Sequence, residues 1–230
     1  MKKINRLAII PARHGSKRIK NKNIKTFKKK PLIYYAIKSA INSNLFKKIH
    51  VSSDSEKILN YSKKIGVQHD FKRSKNLSGD KVPLAPVLEF VVDEYLKRGQ
   101  NFDEVWLIYP TNPFITQNVL RKCSKKFKEI SANPKNALMT VTKYNYPIFW
   151  AQKKNEKGYL SAVFKKYLKL RSQDLNNIYC DAGMINIYSG IKFLKKMKNI
   201  KYFPFELPIY ESVDIDTVQD FKFAAKIFYK

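Results

Sequence analysis

The sequence is short of several things at once. Its 230 residues include two cysteines, seven glycines and 18 acidic residues, set against 46 Lys and Arg. Cys123 and Cys180 form no C-x-x-C pair, so no disulfide framework is implied. The three histidines, His14, His50 and His69, lack the spacing of a zinc site. No apolar run approaches the roughly 20 residues that cross a bilayer. The run from Leu7 to Ala12 is also too short for a signal-peptide core. These absences predict a soluble, cytoplasmic chain with no membrane partner. With 44% hydrophobic residues the chain is neither a disordered tail nor a stapled miniprotein, and residues 1–230 are read as a single domain.

Acid is also unevenly missing. Residues 1–50 hold 12 Lys and 3 Arg with no Asp or Glu, a charge of +15 within a total of +28. Such a balance points first to nucleic acid. Against that, only seven of the 46 basic residues are Arg, the residue whose planar fork reads phosphate and guanine. The bulk of the Lys therefore reads as a composition bias on a solvated surface. The acids gather late instead: Glu211, Asp214, Asp216 and Asp220 fall within ten residues. A basic N-terminal part and an acidic C-terminal patch could be two halves of one site for a metal-bound polyphosphate.

Apolar runs at 6–12, 49–54, 105–110, 137–142 and 184–188 read as strands, with a further short strand, VQHDF, at 67–71. Helical periodicity follows Leu32 and recurs at 55–64, 84–98, 116–129 and 217–229, the last capped by Asp216 or Thr217. Alternating strands and helices predict an α/β fold, a mostly parallel sheet flanked by helices. Residues 143–180, rich in Tyr and Lys, break the alternation and read as an insertion.

The first strand runs into Pro11-Ala12-Arg13-His14-Gly15-Ser16-Lys17-Arg18. In open α/β sheets ligands sit at the carboxyl ends of strands. A Gly there admits backbone amides to an anion, and cations neutralise phosphate. The loop is neither a P-loop nor a G-x-G-x-x-G turn. Asp214 and Asp216 stand two apart, so in an extended segment both carboxylates share a side and could hold Mg²⁺, which takes few protein ligands plus phosphate oxygens. The plain alternative is a helix N-terminus, and the two uses are compatible.

PARHGSKRIKNKNI followed by KPLIYYAI resembles the opening of the acylneuraminate cytidylyltransferases, the CMP-sialic acid synthetases. VSSDSEKI, FKRSKNLSGD, YPTNPF and SVDIDT resemble further landmarks of that family, in order and over nearly the whole chain. SKRIKNKNIK and RSQDLNNIYCDAG are closest to its pseudaminic acid branch. The departures touch the sugar side: Tyr109 stands where sialic acid enzymes have Gln, Ser172 where they have a second Arg, and Ala182 where they have Asn.

The resemblance implies a nucleotide-diphospho-sugar transferase fold. It implies transfer of CMP from CTP to the anomeric hydroxyl of a nine-carbon 2-keto sugar acid, with release of pyrophosphate. Pseudaminic acid is the favoured acceptor, with legionaminic acid and N-acetylneuraminate as alternatives. It implies Mg²⁺ on Asp214 and Asp216, and catalytic roles for Arg13, Lys17 and Asp214. CTP would meet Ala12, Arg13, Gly15, Ser16, Lys17, Asn23, Arg73 and Asp80. Tyr109, Arg171, Gln173 and Asp181 would meet the sugar, although Arg171 is also placed to pair with Asp174 three residues on. A homodimer is implied, with 143–180 packing across it, where Trp150 and its neighbouring aromatics serve an interface rather than RNA stacking. The rival from another class is a basic nucleic-acid-binding protein using the first 50 residues; it leaves the Asp214/Asp216 pair without a use, and no specific nucleic-acid partner is expected.

Overall fold

The computed structural model describes residues 4–190 and 199–228. Ten strands are described. They are β1 (Arg6–Pro11), β2 (Thr26–Phe27), β3 (Lys30–Pro31), β4 (Lys48–Ser52), β5 (Glu104–Ile108), β6 (Asn136–Lys143), β7 (Gln152–Lys154), β8 (Leu160–Ala162), β9 (Tyr179–Ser189) and β10 (Lys201–Glu206). The described α-helices are α1 (Ile33–Ser43), α2 (Glu56–Lys64), α3 (Leu84–Lys97), α4 (Gln117–Ile130) and α5 (Val218–Ile227).

Six strands form one sheet in the order β10-β6-β9-β5-β1-β4. β1 pairs parallel with β4 and with β5, and β10 pairs parallel with β6; β9 alone runs against both its neighbours. The predicted mostly parallel sheet is the observed one. β1 reads as a continuous apolar run because both its faces are covered. Ala8 and Ile10 join the core under α1 and α4, while Leu7 and Ile9 join the core under α3. Trp106 and Ile108 on β5 alternate with Val105 and Leu107 in the same way.

A third apolar cluster lies apart from the sheet. It joins Ile19, Phe27 and Leu32 near the N-terminus to Ile215, Ala224 and Phe228 near the C-terminus. Phe27 takes edge-to-face contacts from Tyr35, Phe221 and Phe228 at 5.7, 5.4 and 5.1 Å between ring centres.

Two expectations need correction. VQHDF is not a strand: residues 67–71 are a loop beyond the edge strand β4, fastened by side chains instead of a ladder. There the Tyr95 hydroxyl donates to Asp70 at 2.6 Å, His50 Nδ1 lies 3.1 Å from the same hydroxyl, and Phe71 stacks on the His50 ring. Burial pushes the His50 imidazole down to about 3, so it is neutral at physiological pH and structural, as its strand position predicted. The last helix is shorter than predicted; it stops at Ile227, and residue 229 lies outside the described residues. β10, which the periodicity did not reveal, adds an edge strand. Between β6 and β9 the chain forms the small β7–β8 hairpin and short 3₁₀ turns, leaving Tyr146, Tyr159, Leu160 and Leu168 among its exposed apolar side chains. Among the described residues no helix is long and apolar enough to cross a membrane.

At the start of β5, buried Glu104 accepts from Arg6 Nε at 2.8 Å and from Trp106 Nε1 at 2.9 Å. Glu104→Ala strands both donors and is expected to lower unfolding free energy by about 2–4 kcal/mol in urea titration. Glu104→Gln keeps an acceptor and is expected to lose less. A loss below roughly 0.5 kcal/mol for the alanine variant, the range of ordinary surface changes, would contradict this role.

Candidate active site

β1 ends where the loop 12–18 begins, and parallel pairing with β4 continues one step beyond it through Ala12 N to Ser52 O at 2.9 Å. This anchors buried Ala12 and turns Arg13 out at the carboxyl end of the sheet. Asp54, just past β4, accepts from the His14 amide at 2.9 Å. Asn23 donates from Nδ2 to the Arg13 carbonyl at 3.1 Å, while its buried Oδ1 has no partner among the described residues. Gly15 has no positive φ, and a Cβ there would meet only the Arg13 guanidinium at 3.8 Å. The protein itself therefore leaves space beside Gly15 rather than requiring it for backbone shape.

One cleft is lined by Arg13, Ser16, Lys17, Arg18, Lys22, Asn23, Arg73, Tyr109, Thr111 and Asp216. Four of its cations are paired with carboxylates from distant parts of the chain. Arg13 Nη1 and Lys17 Nζ both contact Asp80. Arg18 and Lys22 hold the two oxygens of Asp216, each at 2.9 Å, and Lys22 also donates to the Ile215 carbonyl at 2.8 Å. The side chains of Lys22 and Arg18 keep the Asp216 carboxyl below its usual range against the opposing effect of burial. Arg73 is 5% exposed; Nε donates to Ser52 Oγ at 3.1 Å and Nη2 to Ser52 O at 2.7 Å. Burial pulls its guanidinium down to about 10, so it stays charged at neutral pH.

Behind the cleft, Asp214 packs against Gly183. A Cβ on Gly183 would stand 2.9 Å from Asp214 Oδ2, and the residue has φ +57, so glycine is needed twice over. Thr111 hydrogen-bonds the Asp214 carboxylate, and Asp214 Oδ1 is buried without a hydrogen-bond partner among the described residues. Burial and the negative charges of Asp216 and Asp181 raise the Asp214 carboxyl above its ordinary value. Tyr109 is raised in the same direction by burial and by Asp181 and Asp214. Asp181 accepts from the Gly183 amide at 2.8 Å. Thr217 caps α5 in a reciprocal box with Asp220, which leaves the Asp216 side chain to the cleft.

The site thus gathers Arg13, Lys17, Asp80, Arg73, Tyr109 and Asp216 around one opening, with Asp214 and Asp181 adjoining it. Arg171 and Gln173 are not brought there. Arg171 pairs with Asp174 at 2.9 Å, the local alternative that its i+3 spacing offered. Gln173 lines a separate groove with Tyr144, Tyr146 and Asn177. The model of the family described as cytidylyltransferase matches residues 7–224, from the first residues of β1 into α5.

The chain belongs to the cytidylyltransferase family.

It is 38% identical over 226 residues to the pseudaminic acid cytidylyltransferase of Campylobacter jejuni, covering 97% of this chain and 96% of that protein. It is 32% identical to the CMP-N,N'-diacetyllegionaminic acid synthase of Legionella pneumophila, covering 96% and 95%. Among solved structures, CMP:2-keto-3-deoxy-manno-octonic acid synthetase complexed with CTP shares the fold, with a TM-score of 0.69 at 15% identity and coverage of 97% and 98%.

Three further residues of this cytidylyltransferase join the site without having been expected there: Lys22, Asp54 and Thr111. Lys22 was one Lys among many, and only its half-buried place against Asp216 distinguishes it. Asp54 carried a signal, a carboxylate at the carboxyl end of a strand beside β1, which could have found it.

The raised Asp214 carboxyl has a stability consequence. The unfolded chain ionises first as pH rises through the ordinary range near ~4, and above the folded-state value the buried charge destabilises the fold fully. Asp214→Asn is therefore expected to raise the thermal midpoint at pH 7–8 and to lose that advantage below about pH 4. A lower midpoint at neutral pH, with the difference unchanged in acid, would contradict it.

Proposed function

We propose that this cytidylyltransferase transfers CMP from CTP to the anomeric hydroxyl of pseudaminic acid, a nine-carbon 2-keto sugar acid, and releases pyrophosphate. The observation that carries this reading is one cleft at the carboxyl end of β1 lined by Arg13, Lys17, Arg18, Lys22 and Asp216, with buried Asp214 beside Asp216 and Lys22. The similarity to a pseudaminic acid cytidylyltransferase over nearly the whole chain supports the choice of acceptor.

The sugar hydroxyl attacks the α-phosphorus; its O–P bond forms as the bond to the β-phosphate oxygen breaks, and the hydroxyl proton leaves to the medium. Negative charge grows on the leaving pyrophosphate, and Arg13 and Lys17 stabilise it there. Ser16 and the amides of Arg13 and Gly15 hold phosphate oxygens, since the Ala12 and His14 amides already donate to Ser52 O and Asp54. Arg73, fixed by Ser52, and Asn23 take the cytidine side. Tyr109 and Asp181 bound the acceptor side. The pair Asp214 and Asp216 fits Mg²⁺: one buried carboxylate oxygen is free of hydrogen bonds beside a second carboxylate, a donor set that this ion completes with water and phosphate oxygens. When bound, Mg²⁺ would neutralise phosphate charge. Among the described residues no group of three or more His, Cys, Asp or Glu could cage a metal, which suits an ion held chiefly by its substrate.

Arg171 and Gln173 reach the sugar only from a second copy in this reading. The exposed apolar side chains of 143–180 are the surface through which a homodimer would form. The basic N-terminal stretch serves one nucleotide and its metal, not a nucleic acid, and the enzyme works in the cytoplasm where CTP is available.

The test is pyrophosphate release from CTP and Mg²⁺ with pseudaminic acid, legionaminic acid and N-acetylneuraminate. Turnover is expected to be fastest with pseudaminic acid; absence of release with all three, on folded protein, overturns the reading. Arg13→Ala is expected to lower kcat on the order of a hundredfold or more. Asp214→Asn is expected to abolish turnover despite its more stable fold, and unchanged turnover would remove the metal role.

A further inference from the structure

The proposed triphosphate clamp is already holding an anion. Arg13 Nη1 contacts Asp80 Oδ1, and Lys17 Nζ contacts Asp80 Oδ2, so the two oxygens of one carboxylate bridge the two cations as two phosphate oxygens would. Asp80 comes from outside the N-terminal loop. It sits in the connection between the 3₁₀ turn Lys75–Leu77 and α3, follows Gly79, which lines the cleft, and is itself exposed. No main-chain ladder holds this connection; Val82 N to Gly79 O at 3.3 Å is a local turn. Lys17 and Arg13 hold the Asp80 carboxyl below its usual range, so it is charged at neutral pH.

We propose that Asp80 is a built-in competitor for the Arg13–Lys17 clamp, displaced by polyphosphate and hence a determinant of which anions the site accepts. The inference rests on the reading of this cleft as a CTP site. An exposed ion pair of this kind contributes little, so it can be exchanged. A triphosphate or pyrophosphate presents several charges on adjacent oxygens and replaces a single carboxylate with a net gain. A ligand without phosphates at that position does not meet Asp80. Removing the carboxylate should therefore tighten every ligand that uses the clamp and leave the others alone. This differs from a role as a direct nucleotide contact, in which its removal weakens CTP.

The experiment is titration calorimetry on the full chain with pyrophosphate, CTP and cytidine, comparing the natural protein with Asp80→Asn. The expected result is pyrophosphate and CTP binding tightened roughly three- to tenfold, the range of one or two exposed ion pairs, with cytidine unchanged. Asp80→Ser, which removes the charge with a smaller side chain, should give the same tightening. Unchanged or weaker pyrophosphate and CTP binding in both variants overturns the inference while leaving the CTP site intact. Failure of the natural protein to bind pyrophosphate or CTP overturns the reading of the cleft, and the inference with it.

Discussion

The burial of Ile19, Phe27 and Leu32 against Ile215, Ala224 and Phe228 is the contact on which the site depends. Nearly 200 residues separate the two sides. Each large apolar side chain removed from water contributes on the order of 1.5–3 kcal/mol, so a cluster of this size holds the chain ends together without help from charge. It brings the acid-free loop 13–23 against the segment 213–216. Lys22 then reaches both the Ile215 carbonyl and Asp216 because Ile19 and Ile215 belong to one apolar cluster.

Given that frame, electrostatics only has to be local. Four cations from ten residues meet two carboxylates, one from before α3 and one from before α5. Half of that charge is thereby neutralised, which limits the self-repulsion of a crowded basic loop. Asp214 is the exception: it is buried, crowded by Gly183 and raised, and a neighbouring cation would relieve it. A site that costs stability when its ligand is absent is common where function constrains the residues present.

Much of this was legible in the residues. β1, β4 and β5 announce themselves as apolar runs, and the helices as 3.6-residue patterns, because both kinds of element are buried on predictable faces. Arg13, Lys17 and the Asp214/Asp216 pair stand out by type and spacing. Lys22 does not, since its significance is burial against a partner 194 residues away. VQHDF has strand composition, yet His50, Tyr95 and Asp70 fasten it through side chains that no local pattern encodes. β10 escapes because its apolar alternation is interrupted by Pro204 and its outer face is exposed. Arg171 and Gln173 matched a family pattern, yet Arg171 pairs locally with Asp174 and Gln173 lines a separate groove, because a motif match does not fix where its segment folds.

The most direct test of the central claim is a crystal structure of the chain with a non-hydrolysable CTP analogue and Mn²⁺, the metal located by its anomalous signal. The triphosphate is expected between Arg13 and Lys17, cytosine on the Arg73 side, and the metal against Asp214 with Asp80 withdrawn from the clamp. Nucleotide bound elsewhere on the basic surface, or metal remote from Asp214, would contradict it.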